Sequence, residues 1–365
     1  MDVPTSAEIS SRLLAWFDDA HRDMPWRKTA DPYRIFIAEF LLQRTRIATG
    51  TPYYERFLRQ FPDIAALARA SEDEVMRAWE GLGFYRRARN LHAAAKSIVR
   101  DHGGMIPSDP QTLAALPGVG PYTAGAVASI AFGVRVPAVD GNAIRVLARL
   151  FLLRDDVARA AGRKAVQALA ESTVPEARPG AFNQALMDLG ATICSPRSPA
   201  CGRCPLRDLC LAHGAGIQER VPVVARPRKP RAVRVAFGLV TRGERVLLVR
   251  RPSGGLLAGL WSLPGGEVPP DEDPERHLLE SIRDQAGIRV RISSAWQPVS
   301  QTFSHRRWSG AIFRCSSPRG ETRRQGVRWL RLCELSSLAL VPSHRKALEA
   351  LRADERWARF ERGSH

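Results

Sequence analysis

Four cysteines fall within seventeen residues as Cys194-x6-Cys201-x2-Cys204-x5-Cys210, and this spacing constrains the chain more than any other feature. The two remaining cysteines, Cys315 and Cys333, lie far downstream. Clustered thiols in a reducing compartment argue for metal rather than disulfides. Zinc sites usually carry two separated Cys-x-x-Cys knuckles, whereas one compact loop of four cysteines can wrap a [4Fe–4S] cluster. Pro196, Pro199 and Pro205 stiffen the loop. The spacing favours iron–sulfur; zinc stays open as the alternative. Arg197, Arg203 and Arg207 sit between the thiols, which makes the loop a surface for phosphates and the metal structural rather than redox-active.

At 365 residues with 44% apolar side chains, the chain can build more than one core. It has no run of about 18 uncharged apolar residues, and the start, MDVPTSAEIS, lacks a basic-then-apolar leader. A cytoplasmic, nucleoid-associated protein without membrane contact is expected. Lys and Arg number 55 against 37 Asp and Glu, a formal charge of +18. Such a field favours a polyanion, since each phosphate contact releases condensed counterions. Charge alone does not separate a nucleic-acid binder from a merely arginine-rich protein.

Residues 1–216 read as helices punctuated by Pro and Gly, with apolar spacing of three and four in 7–17 and 72–79. Residues 217–232, IQERVPVVARPRKPRA, lose all periodicity and read as a linker. Residues 233–360 open with two β-strands joined at Arg242-Gly243. A helix near 275–286 and strands near 311–315 and 327–330 follow. The expected architecture is multidomain: an all-α domain with a metal loop, then an α+β domain.

LPGVGPYTAGAV, residues 116–127, lies between a short helix capped near Ser108 or Asp109 and a longer one running to Phe132. Gly118 and Gly120 permit a tight turn and bare N–H groups beside a helix N-terminus, an anion site suited to a DNA phosphate. The segment Val139-Asp140-Gly141-Asn142 directly precedes the helical run AIRVLARLF, and Asp140 is placed as its N-cap, where dipole and backbone donors keep a carboxylate ionised. Glu39 is embedded in IFIAEFLLQ, and burial among such neighbours raises a carboxyl's proton affinity. One neutral and one ionised carboxyl are the pair that glycosidic bond cleavage needs.

PWR at 25–27, DPYRIFIAEFLLQRT, GLGFYRRARNL, LPGVGPYTAGAV, AVDGN and the cysteine loop together resemble the MutY family of adenine-specific mismatch DNA glycosylases, within the helix–hairpin–helix superfamily. The resemblance spans nearly the whole chain. It implies a base-excision repair enzyme with a [4Fe–4S] cofactor held by Cys194, Cys201, Cys204 and Cys210. Glu39 would be the general acid that protonates adenine at N7, and Asp140 the stabiliser of the sugar cation. Tyr122 would bond near the reacting sugar, and Asn142 would position Asp140 or water. Tyr122 occupies the hairpin position where strand-cutting relatives carry a lysine, which implies a monofunctional enzyme. Trp26, Arg27 and Gln184 match the pocket for the flipped adenine. Two positions depart from the family's usual text: Arg44 stands where LQQT has its second glutamine, and Phe84 stands where GLGYY has its first tyrosine. The LLxRT text that Arg44 completes also occurs in the related thymine mismatch glycosylases, so removal of thymine or uracil opposite guanine is the alternative.

Residues 254–266 resemble the approach to a Nudix box, with Gly266 and Glu272 in place. Glu280, Ser281, Asp284 and Gln285 replace the Arg-Glu and Glu-Glu ligand positions. A magnesium-dependent hydrolase is not expected from so broken a carboxylate array. The resemblance implies a Nudix-like domain that reads 8-oxoguanine through Phe303, Ser304 and His305. The expected partner is double-stranded DNA with an adenine:8-oxoguanine mispair, bound by a monomer.

Overall fold

The computed structural model describes residues 4–223, 229–303, 305–322 and 324–353. Two compact units divide the chain, one made of 1–70 and 90–226 and the other of 71–89 and 227–365.

The first unit is helical. Thr5 opens helix Ser6–Ala20 with a capping box: its hydroxyl accepts from the Glu8 backbone N–H and the Glu8 carboxylate accepts from its own. Ile9, Leu13 and Phe17, spaced by four, drop into a core with Val146, Leu147, Leu150, Phe182 and Leu186. Each such side chain contributes about 1.5–3 kcal/mol on full burial. Helix Pro32–Leu42 has Asp31 as N-cap and is buried nearly all round from Tyr33 to Leu41, so its one carboxylate, on Glu39, is carried inside with it.

Asp109 caps helix Pro110–Ala115, and a turn through Gly118 leads to helix Pro121–Phe132, as the sequence pattern predicts. Gly118 has φ +76°, and a Cβ there would meet the Asn90 side chain at 2.4 Å, so geometry and space both require glycine. Helix Gly141–Leu150 packs on helix Pro179–Thr192. A Cβ on Gly190 would stand 2.6 Å from the Cβ of Asn142, so this glycine sets the close approach.

Among the described residues the second unit has seven strands: β1 (Arg231–Arg242), β2 (Arg245–Arg250), β3 (Trp261–Ser262), β4 (Gly265–Val268), β5 (Arg289–Thr302), β6 (Arg306–Arg319) and β7 (Val327–Arg331). β1 and β2 are joined through Gly243 at φ +55°, where the sequence places the turn. β1 runs parallel to β6 from Arg231↔Arg306 to Val240↔Cys315, and antiparallel to β4. β5 pairs antiparallel with β6, and β2 pairs with β3 and β7. Helix Pro274–Ala286, capped by Asp273 and ended by Gly287, buries Leu278, Ile282 and Ala286 against Ala236, Val240 and Cys315. The multidomain architecture, all-α then α+β, is the one read from the sequence. Among the described residues no helix is long and apolar enough to cross a membrane.

Candidate active site

One cavity of about 490 Å³ in the first unit is lined by Trp26, Arg27, Glu39, Tyr122, Asp140, Asn142 and Gln184, residues drawn from five separate stretches of chain. Glu39, 8% exposed, is pushed up to about 7 from the ordinary 4.5 by burial. A hydrogen bond with the Tyr122 hydroxyl opposes the rise, the Asp140 charge adds to it, and Arg27 opposes it. Near neutrality such a carboxyl still carries a proton for part of its time, as a general acid must. The Tyr122 hydroxyl also points at the Met187 sulfur, 3.4 Å away.

Asp140 is the N-cap of helix Gly141–Leu150. Its Oδ1 accepts from the backbone N–H of Asn142 at 2.9 Å and of Ala143 at 2.7 Å, and its Oδ2 accepts from the Asn142 amide at 2.8 Å. The sequence argument foresees these bonds, which favour the anion, but not the burial. Desolvation exceeds them, and the proton affinity of Asp140 is raised above its usual value. Arg145 supports the arrangement from behind, donating to Asn142 Oδ1 at 2.9 Å, to the Gly190 carbonyl at 2.6 Å and to the Cys194 carbonyl at 2.7 Å.

On another stretch of the wall, Arg27 donates through Nε to Gln184 Oε1 at 3.0 Å and through Nη1 to Asp188 Oδ2 at 2.6 Å. Arg22 grips the same carboxylate, with Nε 2.9 Å from Oδ1. Trp26 packs edge-on against Tyr54, centroids 5.3 Å apart, and its ring borders the cavity. Sequence reasoning missed Arg22, Arg46, Met187 and Asp188 on this wall. Asp188 had a visible signal: it is the only charged residue in the apolar helical run FNQALMDLGA, four positions after Gln184.

The other expected site residues are not among those that line this cavity. Arg44 is exposed at φ +59° and does not line the cavity, although its neighbours Thr45 and Arg46 do. Phe84 belongs to the second unit, is 47% exposed, and sits at φ +48°. Gly118 and Gly120 form the turn into helix Pro121–Phe132, away from the cavity lining. Phe303 stands where β5 turns into β6, its N–H bonded to the Arg306 carbonyl at 2.7 Å and its ring edge-on to Trp308. His305 is exposed there, and Ser304 lies outside the described residues. Below this turn Glu267 accepts from Arg306 and from Trp308 Nε1. Of the Nudix-box positions, Gln285 clamps both the N–H and the carbonyl of Gly265, and Glu280 pairs with Arg276.

Cys194, Cys201, Cys204 and Cys210 are unbridged and surround one small pocket together with Arg149. Arg149 donates to the Cys194 sulfur at 3.2 Å and to the Ser195 carbonyl at 2.7 Å, which fixes the loop. Among the described residues no three His, Cys, Asp or Glu side chains converge as on a single metal ion. Four thiols on one compact loop around a pocket are the donor set that a [4Fe–4S] cluster takes.

Residues 37–176 match the HhH-GPD superfamily of base excision DNA repair proteins, 194–210 the iron–sulfur binding domain of endonuclease III, and 235–350 the NUDIX domain. The loop at 194–210 is thus the site of a [4Fe–4S] cofactor. The human adenine DNA glycosylase is 34% identical over 97% of this chain and 76% of its own length. The Mycobacterium tuberculosis adenine DNA glycosylase is 44% identical over 56% of this chain and 68% of its own. Among solved structures, a thermostable thymine-DNA glycosylase superposes with TM-score 0.53 at 32% identity, covering 57% of this chain and 97% of that one. Endonuclease III in a non-covalent complex with DNA gives 0.50 at 26% identity, over 59% of this chain and 99% of that one. With these matches spanning both units and the cysteine loop, the chain belongs to the adenine DNA glycosylase family and is a base excision repair enzyme that removes adenine from DNA.

Proposed function

We propose that the substrate is adenine opposite 8-oxoguanine, released by a monofunctional mechanism in the cavity that Glu39 and Asp140 share. The observation that carries this reading is the shared cavity itself, with Glu39 raised to about 7 by burial. Adenine turned out of the duplex enters beside Trp26, Arg27 and Gln184, where stacking and edge contacts replace its lost pair. Glu39 gives its proton to N7, and the electrons of the C–N bond leave with the neutral base. The sugar becomes an oxocarbenium ion facing Asp140, whose two backbone bonds and Asn142 bond hold the carboxylate oriented. Water then adds to the anomeric carbon and gives its proton to the Glu39 carboxylate, which restores the acid.

Among the described residues no lysine lines the cavity, and Tyr122 stands at the hairpin position, which supports a mechanism without a Schiff base or strand cutting. Cys194, Cys201, Cys204 and Cys210 hold the cluster, which when bound ties its loop into a rigid surface for the DNA backbone. Phe303, Ser304 and His305 read the opposite 8-oxoguanine, and Gly118 and Gly120 present backbone N–H groups to a phosphate. The enzyme acts as a monomer on the nucleoid.

Duplexes with adenine:8-oxoguanine, adenine:guanine and thymine:guanine, each divided between alkali-treated and untreated aliquots, test this. Cleavage of the first two only after alkali is expected. Release of thymine but not adenine would overturn the assignment, and breaks without alkali would overturn the monofunctional reading.

A further inference from the structure

Asp188 is 1% exposed, lines the cavity, and has no part in the chemistry described above. It takes four donors: the backbone N–H, Nε and Nη2 of Arg22, and Nη1 of Arg27. Arg27 is thereby turned so that its Nε meets the Gln184 carbonyl oxygen, whose own amide is tied back to the Gly180 carbonyl at 3.3 Å. The Asp188 carboxyl is held below its usual range, since the bonds from Arg27 and Arg22 exceed the cost of its burial. It is therefore an anion in the working protein.

The charges around Glu39 make this anion consequential. Arg27 faces Glu39 from the turn Pro25–Arg27, Tyr122 from helix Pro121–Phe132 and Asp140 from the N-terminus of helix Gly141–Leu150. Arg22, Arg46 and Asp188 complete the charged lining. A guanidinium beside a buried carboxyl favours its anionic form, which is useless as a proton donor. Yet in the proposed reading the Arg27 guanidinium also orients the base.

We propose that Asp188 is a positioning residue for base release: it fixes Arg27 against Gln184 and offsets the charge of Arg22 and Arg27, so that Glu39 enters the reaction with its proton. This rests on Glu39 as the acid. It implies an effect that depends on pH, which a merely structural carboxylate would not give.

Single-turnover release of adenine from an adenine:8-oxoguanine duplex, followed from pH 5 to 9 with the full-length holoenzyme, provides the test. The wild-type rate is expected to fall above about pH 7, with the midpoint set by Glu39. In Asp188→Asn the midpoint moves down by about one unit, so the loss of rate is roughly tenfold larger at pH 8 than at pH 5. Asp188→Glu, which keeps the charge, leaves the midpoint near that of the wild type. Should Asp188→Asn not fold, Arg27→Gln alone raises the midpoint, and Arg27→Gln with Asp188→Asn returns it to the wild-type value. A loss of rate by one factor at every pH, or a double variant no different from Arg27→Gln, overturns the proposal. A wild type with no limb near pH 7 overturns instead the reading of Glu39.

Discussion

Asn142 holds Asp140 twice, its backbone N–H on Oδ1 at 2.9 Å and its side-chain amide on Oδ2 at 2.8 Å, so both carboxylate oxygens are oriented by a single residue. Asn142→Ala removes the amide bond and frees Arg145 Nη2 from Asn142 Oδ1. A single-turnover rate lower by about tenfold is expected, the worth of one hydrogen bond to a charged group. Asp140→Asn and Glu39→Gln are expected to lower the rate by about 10²-fold or more, while gel-shift affinity for the duplex stays within a few-fold. Near-normal release by either variant would remove that residue from the chemistry.

Glu39 also leaves a mark on stability. Its proton affinity rises from the ordinary 4.5 to about 7 on folding, so the folded state binds more protons than the unfolded one between those values. Stability gained from the neutral carboxyl is complete below about pH 4.5 and is lost as pH climbs to about 7. Relative to Glu39→Gln, the wild type is expected to weaken by ~1.4 kcal/mol per pH unit across that window and to hold constant above it. Urea midpoints of both proteins at several pH values would show parallel curves if Glu39 were exposed.

His344 gives the opposite slope in the second unit. Fully buried, it accepts from the Leu263 N–H at 3.1 Å and meets the Phe237 ring edge-on at 4.3 Å. Burial lowers its proton affinity to about 3 from the ordinary 6.5. Its stability contribution is full above about pH 6.5 and lost as pH falls toward 3. His344→Leu is expected to cost about 1–3 kcal/mol at pH 7 by orphaning the Leu263 N–H, and to flatten the acid limb of a thermal-melt series. An unchanged limb would rule out His344 as its source.

The two hairpin glycines are separable. Gly118→Ala is expected to cost about 1–3 kcal/mol, from a left-handed backbone and contact with Asn90. Gly120→Ala has open space at φ −90° and is expected to cost little. If both behaved alike in thermal melts, the turn geometry would not be the cause.

Much of the site was legible because its two carboxylates announce themselves locally. Glu39 stands out in an apolar helix, and Asp140 directly precedes one. Asp188 was harder, since its meaning comes from Arg22, 166 positions away. The partial counterweight to the Asp140 cap was hidden for the same reason: burial is a property of the assembled wall. In the second unit the turn at Gly243 and helix Pro274–Ala286 were legible from turn chemistry and capping. β5 was not, because RVRISSAWQPVSQT lacks a clean alternation and its pairing with β6 shifts register three times.

The segment 71–89 sits within the sequence of the first unit yet folds with the second, where the Glu80 carboxylate, 16% exposed, is clasped by Arg345. The two units are thus interleaved along the chain, and a single scission near residue 226 separates neither cleanly. A fragment ending there would part the Glu80 carboxylate from Arg345. Proteolysis should therefore find its next site around 71–89, and a faithful dissection of the protein would have to move that piece too.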